Sequence, residues 1–579
     1  MLNPQVPGVY VAEQKYVLNP LRIDKRCLSG FVGIAEWGPL HTPLLIKSFD
    51  EYINTFGFFD TAGNLPYSVY NFFKCGGAEC VIVRVANEKY AKKAMLKVKC
   101  TGGGNVCFEA LTEGIWGNNI VVRIWHETDT ISINEMDTAE GMWVSSSDDI
   151  AVNDVLHISS LGQKTFRNII KKDESKLFFD KPIRFPEKSE QAMQSIKLEK
   201  AYVSISLSCK GSQENFLHLS MNPASDRYFV HYVNSRSRLC TVSADLAKGV
   251  IKQVFAAHAS GGMEGIAEMT AGNFIGSYNG FNQFSGLGAL ESRDDISLIA
   301  VPDVSWLYSQ TGLTESEREK AMFAVHAAMI NQAERLPGRF AILDVPNHLD
   351  DIKILSWAKQ FNSPFAAAYF PFIDMLDPLD QTGTETVRMP PSGAICGSIS
   401  VMDSEKGIFH APANILLHGA VGLAKRISDP EYEMLYPAGI NLLKYFPGKG
   451  IKIWGARTLS SDPNWRFINV RRTFSSICHS LKIGTQWAVF ETNDKNLWKR
   501  IVRQVSGFLL DLWIKGYLAG STSEQGFYVR CDEELNPPEN VDKGIVTFSV
   551  GLAMTKPTEF YKIAITAEKD GASVYINEG

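Results

Sequence analysis

A strand–helix–strand rhythm starts near the front of this chain, breaks off, and resumes far downstream. That interruption constrains the fold more than any other feature. "SGFVGIAEWG" reads as a buried strand, and "SVYNFFKCGGAECVIVRVA" as a short helix, a stop at Gly76-Gly77 and a second strand. Glycine reaches the left-handed backbone that ends helices, so this is a sound helix-to-strand turn. From about Asn87 to Gly249 the texture changes. "TGGGNVCFEALTEGIWGNNIVVRIWHE" alternates apolar and polar residues between Gly-rich turns, and no helix of convincing length follows. The first rhythm then returns with the strand "ISLIAVPD", a helix from "TESEREK" capped by Thr314 and Glu317, the strand "RFAILDVP", the helix "LDDIKILSWAKQF" and the strand "SPFAAAYFPFI". Such a succession specifies a parallel or mixed sheet with crossover helices. The expected fold class is α/β and α+β, multidomain, with a β-rich inserted domain and extended strand arms at both termini.

The arms are read from the ends. Val9, Tyr10 and Val11 follow Pro7-Gly8 as an extended apolar stretch with no pairing partner nearby in sequence. In "ASVYINEG", Ala572, Val574 and Ile576 share one face of a strand. Asp570-Gly571 before it is a turn signal that can swing the strand away from its own domain. Unpaired strand edges are unstable alone, so this strand either folds back or adds to a sheet on another chain.

Composition excludes several classes. The chain has 579 residues, 45% of them hydrophobic, enough for real cores. With 58 basic and 63 acidic side chains it lacks the basic excess of a nucleic-acid binder. No apolar stretch is long enough to span a bilayer, no export signal is visible, and the ten Cys show no CxxC pair, which points to reduced thiols. "SGLGALE" fails the dinucleotide fingerprint, because Glu291 stands where the third Gly belongs. "FPGKGI" lacks the leading Gly and the Ser or Thr of a phosphate cradle. Cys478-His479 is adjacent on a predicted helix, where neighbouring side chains diverge, so a buried Cys beside a surface His is the better reading than a hydrolase dyad. No catalytic residue, metal site or cofactor is expected.

The stretch from Trp454 to Glu491 is dense in Trp and Arg. Ion pairs, with Glu491 and Asp462 nearby, suit its arginines better than phosphate does. In the following helix Leu497, Ile501, Val505, Leu509 and Leu512 recur at helical spacing, while Lys499, Arg500, Arg503 and Lys515 fall largely off that stripe.

These stretches carry a resemblance. "YPAGINLLKYFPGKGIKIWGARTLSSDPNWRFINVRRTFSSICHSLKIGTQWAVFE", "GFYVRCDEELNPPENVDKGIVTFSVGLAM", "SGGMEGI" with "YNGFNQFSGLGALESRDDISLIAVPD", "KGIFHAPAN" and the opening "PGVYVAE" resemble the tail sheath proteins of contractile phages and phage-like contractile injection systems. The resemblance covers nearly all of the chain outside roughly 90 to 250. It implies a structural, non-enzymatic subunit that stacks as rings in a helical sheath around an inner tube protein. Baseplate and terminal cap proteins would bound the sheath. The sheath would assemble in a bacterial cytoplasm, or in the host's if phage-encoded, and work in a virion or tail-like particle. No nucleic acid and no direct membrane insertion enter that picture. The implied domain plan is 1–24 with 429–579 as an inner domain, 25–88 with 262–428 as a middle domain, and 89–261 as an outer insertion. Trp454, Arg457, Trp465, Arg471, Arg472, Trp487 and Glu491 would build the inner domain's core and subunit contacts. Val9, Tyr10, Val11, Ala572, Val574 and Ile576 would lie in arms shared between neighbours. Lys499, Arg500 and Arg503 would meet the tube or a neighbouring subunit. A receptor- or glycan-binding particle protein acting through the insertion is the competing reading.

Overall fold

The computed structural model describes residues 21, 23 and 27–576, apart from 60–62, 102, 139–140, 161–162, 184–195, 246–249, 279, 281–283, 311, 560–562 and 569–570. Val9, Tyr10 and Val11 lie outside the described residues.

The interrupted rhythm becomes one nine-stranded sheet. Its order is Leu44–Ile46, Cys80–Arg84, Leu28–Gly33, Ile296–Ala300, Phe340–Asp344, Ala366–Phe370, Ile440–Phe446, Gly450–Trp454 and Ile415–Leu416. The six strands from Cys80–Arg84 to Ile440–Phe446 run parallel, and the outer pairings are antiparallel. Both faces are covered, which is why these strands read as continuous apolar runs rather than alternations. Val32, Ile299 and Leu343 face the helices Glu315–Arg335, Asp351–Ala358 and Asp429–Leu435. Phe31, Leu298 and Ile342 face Phe49–Phe56, Leu65–Lys74 and Ser392–Glu405. The last two helices nearly touch. A Cβ at Gly393 would stand 2.1 Å from the Ser68 carbonyl oxygen, and one at Gly397 2.3 Å from that of Phe72. Only glycine permits that approach.

The sheet corrects one expected boundary. The inner domain was expected from 429, but Ile440–Phe446 and Gly450–Trp454 hydrogen-bond into the middle sheet. The strand Ile440–Phe446 pairs with Ala366–Phe370, so backbone pairing, invisible to local composition, decides the point.

The insertion folds as β structure around its own cores. A second nine-stranded sheet is centred on the long pair Val121–Ile131 and Lys197–Cys209, beside a three-stranded sheet and the short helix Phe229–Asn234. It leaves and rejoins the body at the bridges Lys92 to Met263 and Met95 to Ser260. Arg84, 1% exposed, fastens this root: Nε donates to the Ala35 carbonyl (2.9 Å), and Nη1 to those of Gly38 (2.7 Å) and Glu113 (3.0 Å). Burial lowers the Arg84 pKa to about 10. Glu36 pairs with Lys210, and the Trp37 and Trp116 rings meet at 5.7 Å.

The C-terminal part packs the helices Ile468–Gly484 and Lys495–Ile514 against the strand pair Phe527–Arg530 and Ser549–Leu552. Leu497, Ile501, Val505, Leu509 and Leu512 are buried, as their spacing predicted. The final strands, Ile563–Glu568 and Gly571–Ile576, form a separate two-stranded sheet.

Candidate subunit-contact surface

Open α/β sheets bind ligands where the strand order reverses, outside the carboxyl ends of the strands. Here that point lies between Leu28–Gly33 and Ile296–Ala300, and it is filled from within. Asp303, fully buried, accepts from the backbone N–H groups of Ile34 (2.7 Å) and Asn64. A Cβ at Gly33 would sit 2.3 Å from its Oδ2. Burial raises the Asp303 pKa to about 6, against the pull of backbone donors from Ile34, Asn64 and Leu65. A side-chain carboxylate thus takes the anion's place in the crevice. Among the described residues no group of three or more His, Cys, Asp or Glu could hold a metal, and no helix is long and apolar enough to cross a membrane.

The residues expected to form one inner core fall into four separate neighbourhoods. Arg457 is buried and makes a bidentate pair with Glu559. Nearby Trp454 is half-buried against Phe446, its carbonyl accepting from the Tyr432 hydroxyl (2.9 Å). Arg471 is half-buried among rings, 4.4 Å from the centroids of Trp465 and of Phe365 and 4.9 Å from that of Phe474. Arg472, the next residue, points the other way into a buried pair with Asp403. Trp487 is half-buried at the loop after this helix, its indole N–H donating to Gln504 (2.6 Å) beneath the Arg500 guanidinium (4.4 Å). Glu491 is exposed and pairs with Arg500 at 3.2 Å.

Arg457 and Arg472 form the ion pairs expected of them, but with acids other than Glu491 and Asp462, and the three tryptophans are half-buried rather than fully in the core. Arg472 and Arg457 find acids 69 and 102 residues away in sequence. No local spacing signals those partners. The Cys478-His479 reading also reverses. Ile477 and Leu481 face the core one turn apart, which turns Cys478 outward, while His479 is half-buried.

Of the two alternatives open for the C-terminal strand, folding back or adding to another chain's sheet, its backbone takes the first within this chain. Gly571–Ile576, with Ala572, Val574 and Ile576, folds back on Ile563–Glu568 in antiparallel register. Glu568 pairs with Gly571 at the closed end of this hairpin, so two strands rather than one leave the C-terminal part.

Residues 312–459 match the phage tail sheath protein central domain and residues 460–568 the phage tail sheath C-terminal domain. A putative prophage major tail sheath protein of Pseudomonas aeruginosa (strain UCBPP-PA14) is 27% identical over 256 residues, 43% of this chain and 63% of that protein. Residues 312–568 are thus similar to phage tail sheath proteins.

The tail sheath protein of Burkholderia phage BcepMu is 29% identical over 211 residues, 34% of this chain and 42% of that protein. These alignments span less than two thirds of either sheath protein's own length. A sheath complex of an extracellular contractile injection system, solved in the contracted state, shares the fold: TM-score 0.51, 17% identity, 98% of this chain and 99% of that one covered. The two sheath domains meet at 459/460, just after the last long strand of the main sheet.

On the C-terminal sheath domain, Lys499, Arg500 and Arg503 are exposed on Lys495–Ile514, opposite its buried stripe. Beside them Val489 and Phe490 are exposed, Phe490 completely and on a left-handed backbone (φ 68°). A bulky side chain on such a backbone is strained, and burial of its own ring does not compensate.

Proposed function

We propose that this chain is the sheath subunit of a contractile injection apparatus. Copies polymerise as a helical tube around an inner tube protein, seat on a baseplate, end at a cap protein, and contract to drive the inner tube through a target envelope. The particle is a virion or a phage tail-like particle, assembled in a cytoplasm. The subunit acts by assembly and not by catalysis, and the Asp303 carboxylate packed into the switch-point crevice supports that reading.

The observation that carries the proposal is the detached C-terminal hairpin. Two strands alone are marginal in water, and this pair joins no other sheet among the described residues. The pair Phe527–Arg530 and Ser549–Leu552 is likewise only two strands wide. Joined between neighbours, with the arm around Val9, Tyr10 and Val11 added, such pairs complete a shared sheet through main-chain hydrogen bonds. Ala572, Val574 and Ile576 belong to that exchanged element. In this plan the inner domain begins near 460, the middle domain holds the nine-stranded sheet, and the insertion sits outside. Lys499, Arg500 and Arg503 face an acidic patch on the inner tube.

Electron microscopy of the purified protein tests the reading. Striated tubes are expected from the full chain, and none from a chain ending at Asp570. Tubes formed equally well without the last strand would overturn it.

A further inference from the structure

Among the described residues, Glu559 ties the segment that leads to the C-terminal hairpin into the body. Glu559 immediately precedes 560–562 and accepts three hydrogen bonds: from Arg457 Nε (2.8 Å), Arg457 Nη2 (2.6 Å) and the Tyr436 hydroxyl (2.7 Å). The guanidinium also lies 4.2 Å from the Tyr436 ring centroid. Both charged side chains are largely buried, 11% exposed for Arg457 and 15% for Glu559. Burial opposes ionisation of Glu559, but its bonds to Arg457 and Tyr436 prevail and hold the carboxyl below its usual range.

Arg457 is itself fixed. Its N–H donates to Asn441 Oδ1 and its carbonyl accepts from Asn441 Nδ2, both at 2.7 Å. The same Nδ2 donates to the Ala368 carbonyl at 3.2 Å. Asn441 is fully buried in Ile440–Phe446, and Ala368 lies in the neighbouring strand Ala366–Phe370. A continuous chain of hydrogen bonds thus runs from the root of the hairpin into the main sheet.

We propose that Glu559 is the anchor that sets the tether length of the exchanged hairpin and passes a pull on it, through Arg457 and Asn441, into the sheet. The inference rests on the sheath reading. From Glu559 to Ile563 the backbone reaches at most about 14 Å. With the anchor broken, the next tie is Thr555, whose carbonyl accepts from Asn469 Nδ2 (3.2 Å) and whose hydroxyl donates to the Gly516 carbonyl (3.1 Å). The tether then reaches roughly 30 Å. A longer tether lowers the effective concentration of the hairpin at its neighbour and lets the neighbour drift. A bidentate carboxylate–guanidinium pair resists displacement in two directions, which suits an element pulled while subunits rotate.

The test uses the full chain with Glu559→Gln, and Tyr436→Phe as a milder variant should the first fail to fold. In the monomer, hydrogen exchange at Arg457, whose N–H donates to Asn441, should quicken about tenfold, since local opening there no longer breaks the ion pair. Tubes should still form, but contraction should leave rings unevenly spaced or separated. Unchanged exchange in a folded variant overturns the anchor. Faster exchange with tubes that contract like those of the unsubstituted chain overturns its mechanical role. If the unsubstituted chain forms no tubes, the sheath reading fails, while the exchange measurement still decides the anchor.

Discussion

Arg472 and Asp403 join the helix Ile468–Gly484 to the helix Ser392–Glu405 by two hydrogen bonds, at 3.1 and 2.5 Å, with both side chains 3% exposed. Burial alone would favour a neutral Arg472, but Asp403 raises its pKa and keeps it charged. Arg472 Nη2 also reaches the Cys27 thiol at 3.4 Å, and burial raises that thiol's pKa to about 12. Removing one partner strands the other charge in the interior. Arg472→Met should therefore destabilise the soluble chain by about 3–5 kcal/mol, and Arg472→Met with Asp403→Leu by much less. Thermal unfolding of the single and double variants checks this. Equal losses in both would refute it.

Asp344 gives a pH dependence. It is buried at the end of Phe340–Asp344 and accepts from the Ser392 N–H at 2.9 Å. Burial raises its pKa from 3.8 to about 7, although the Ser392 bonds work against the shift. The folded state therefore holds this proton more tightly than the unfolded state. Its stabilising contribution is complete below pH 3.8 and is lost as pH rises to about 7. Asp344→Asn keeps an acceptor for Ser392 and should raise stability at pH 8 by on the order of 1–3 kcal/mol, with little gain near pH 4. Urea unfolding across this range measures the difference, and a pH-independent gain would contradict the assignment.

The insertion root sets a limit on domain deletion. A short linker from Lys92 to Met263 removes Glu113, Trp116 and Lys210, the partners of Arg84, Trp37 and Glu36. The shortened chain should fold and still form tubes, but with Tm lowered by several degrees, because a buried donor and acid lose partners. Scanning calorimetry and microscopy of that chain supply both readouts. A folded chain that forms no tubes would give the insertion an assembly role.

Charge reversal of Lys499 and Arg503 to Glu, sparing Arg500 because it stacks on Trp487 and pairs with Glu491, should leave monomer stability within about 1 kcal/mol, since exposed charges contribute little. Co-assembly with the inner tube protein should fall and lose its salt sensitivity. Co-sedimentation at low and moderate salt distinguishes this from a solvated face, for which binding would not change.

Local residue patterns specify the elements and their order. Apolar runs and the Thr314–Glu317 cap set the strands and helices of the main sheet, and the stripe from Leu497 to Leu512 set a buried helix face, because these signals act over a few residues. The tail sheath resemblance was legible for the same reason, in contiguous motifs. The partners come from the packing of distant segments. That packing moved Ile440–Phe446 and Gly450–Trp454 into the middle sheet, turned Cys478 outward, left Trp454, Trp465 and Trp487 half-buried, and joined Arg472 to Asp403 and Arg457 to Glu559. Each of these depends on which distant backbone segments pack together. Charge and polarity along the chain record that a buried arginine needs an acid, but not which acid the fold brings within 3 Å of it.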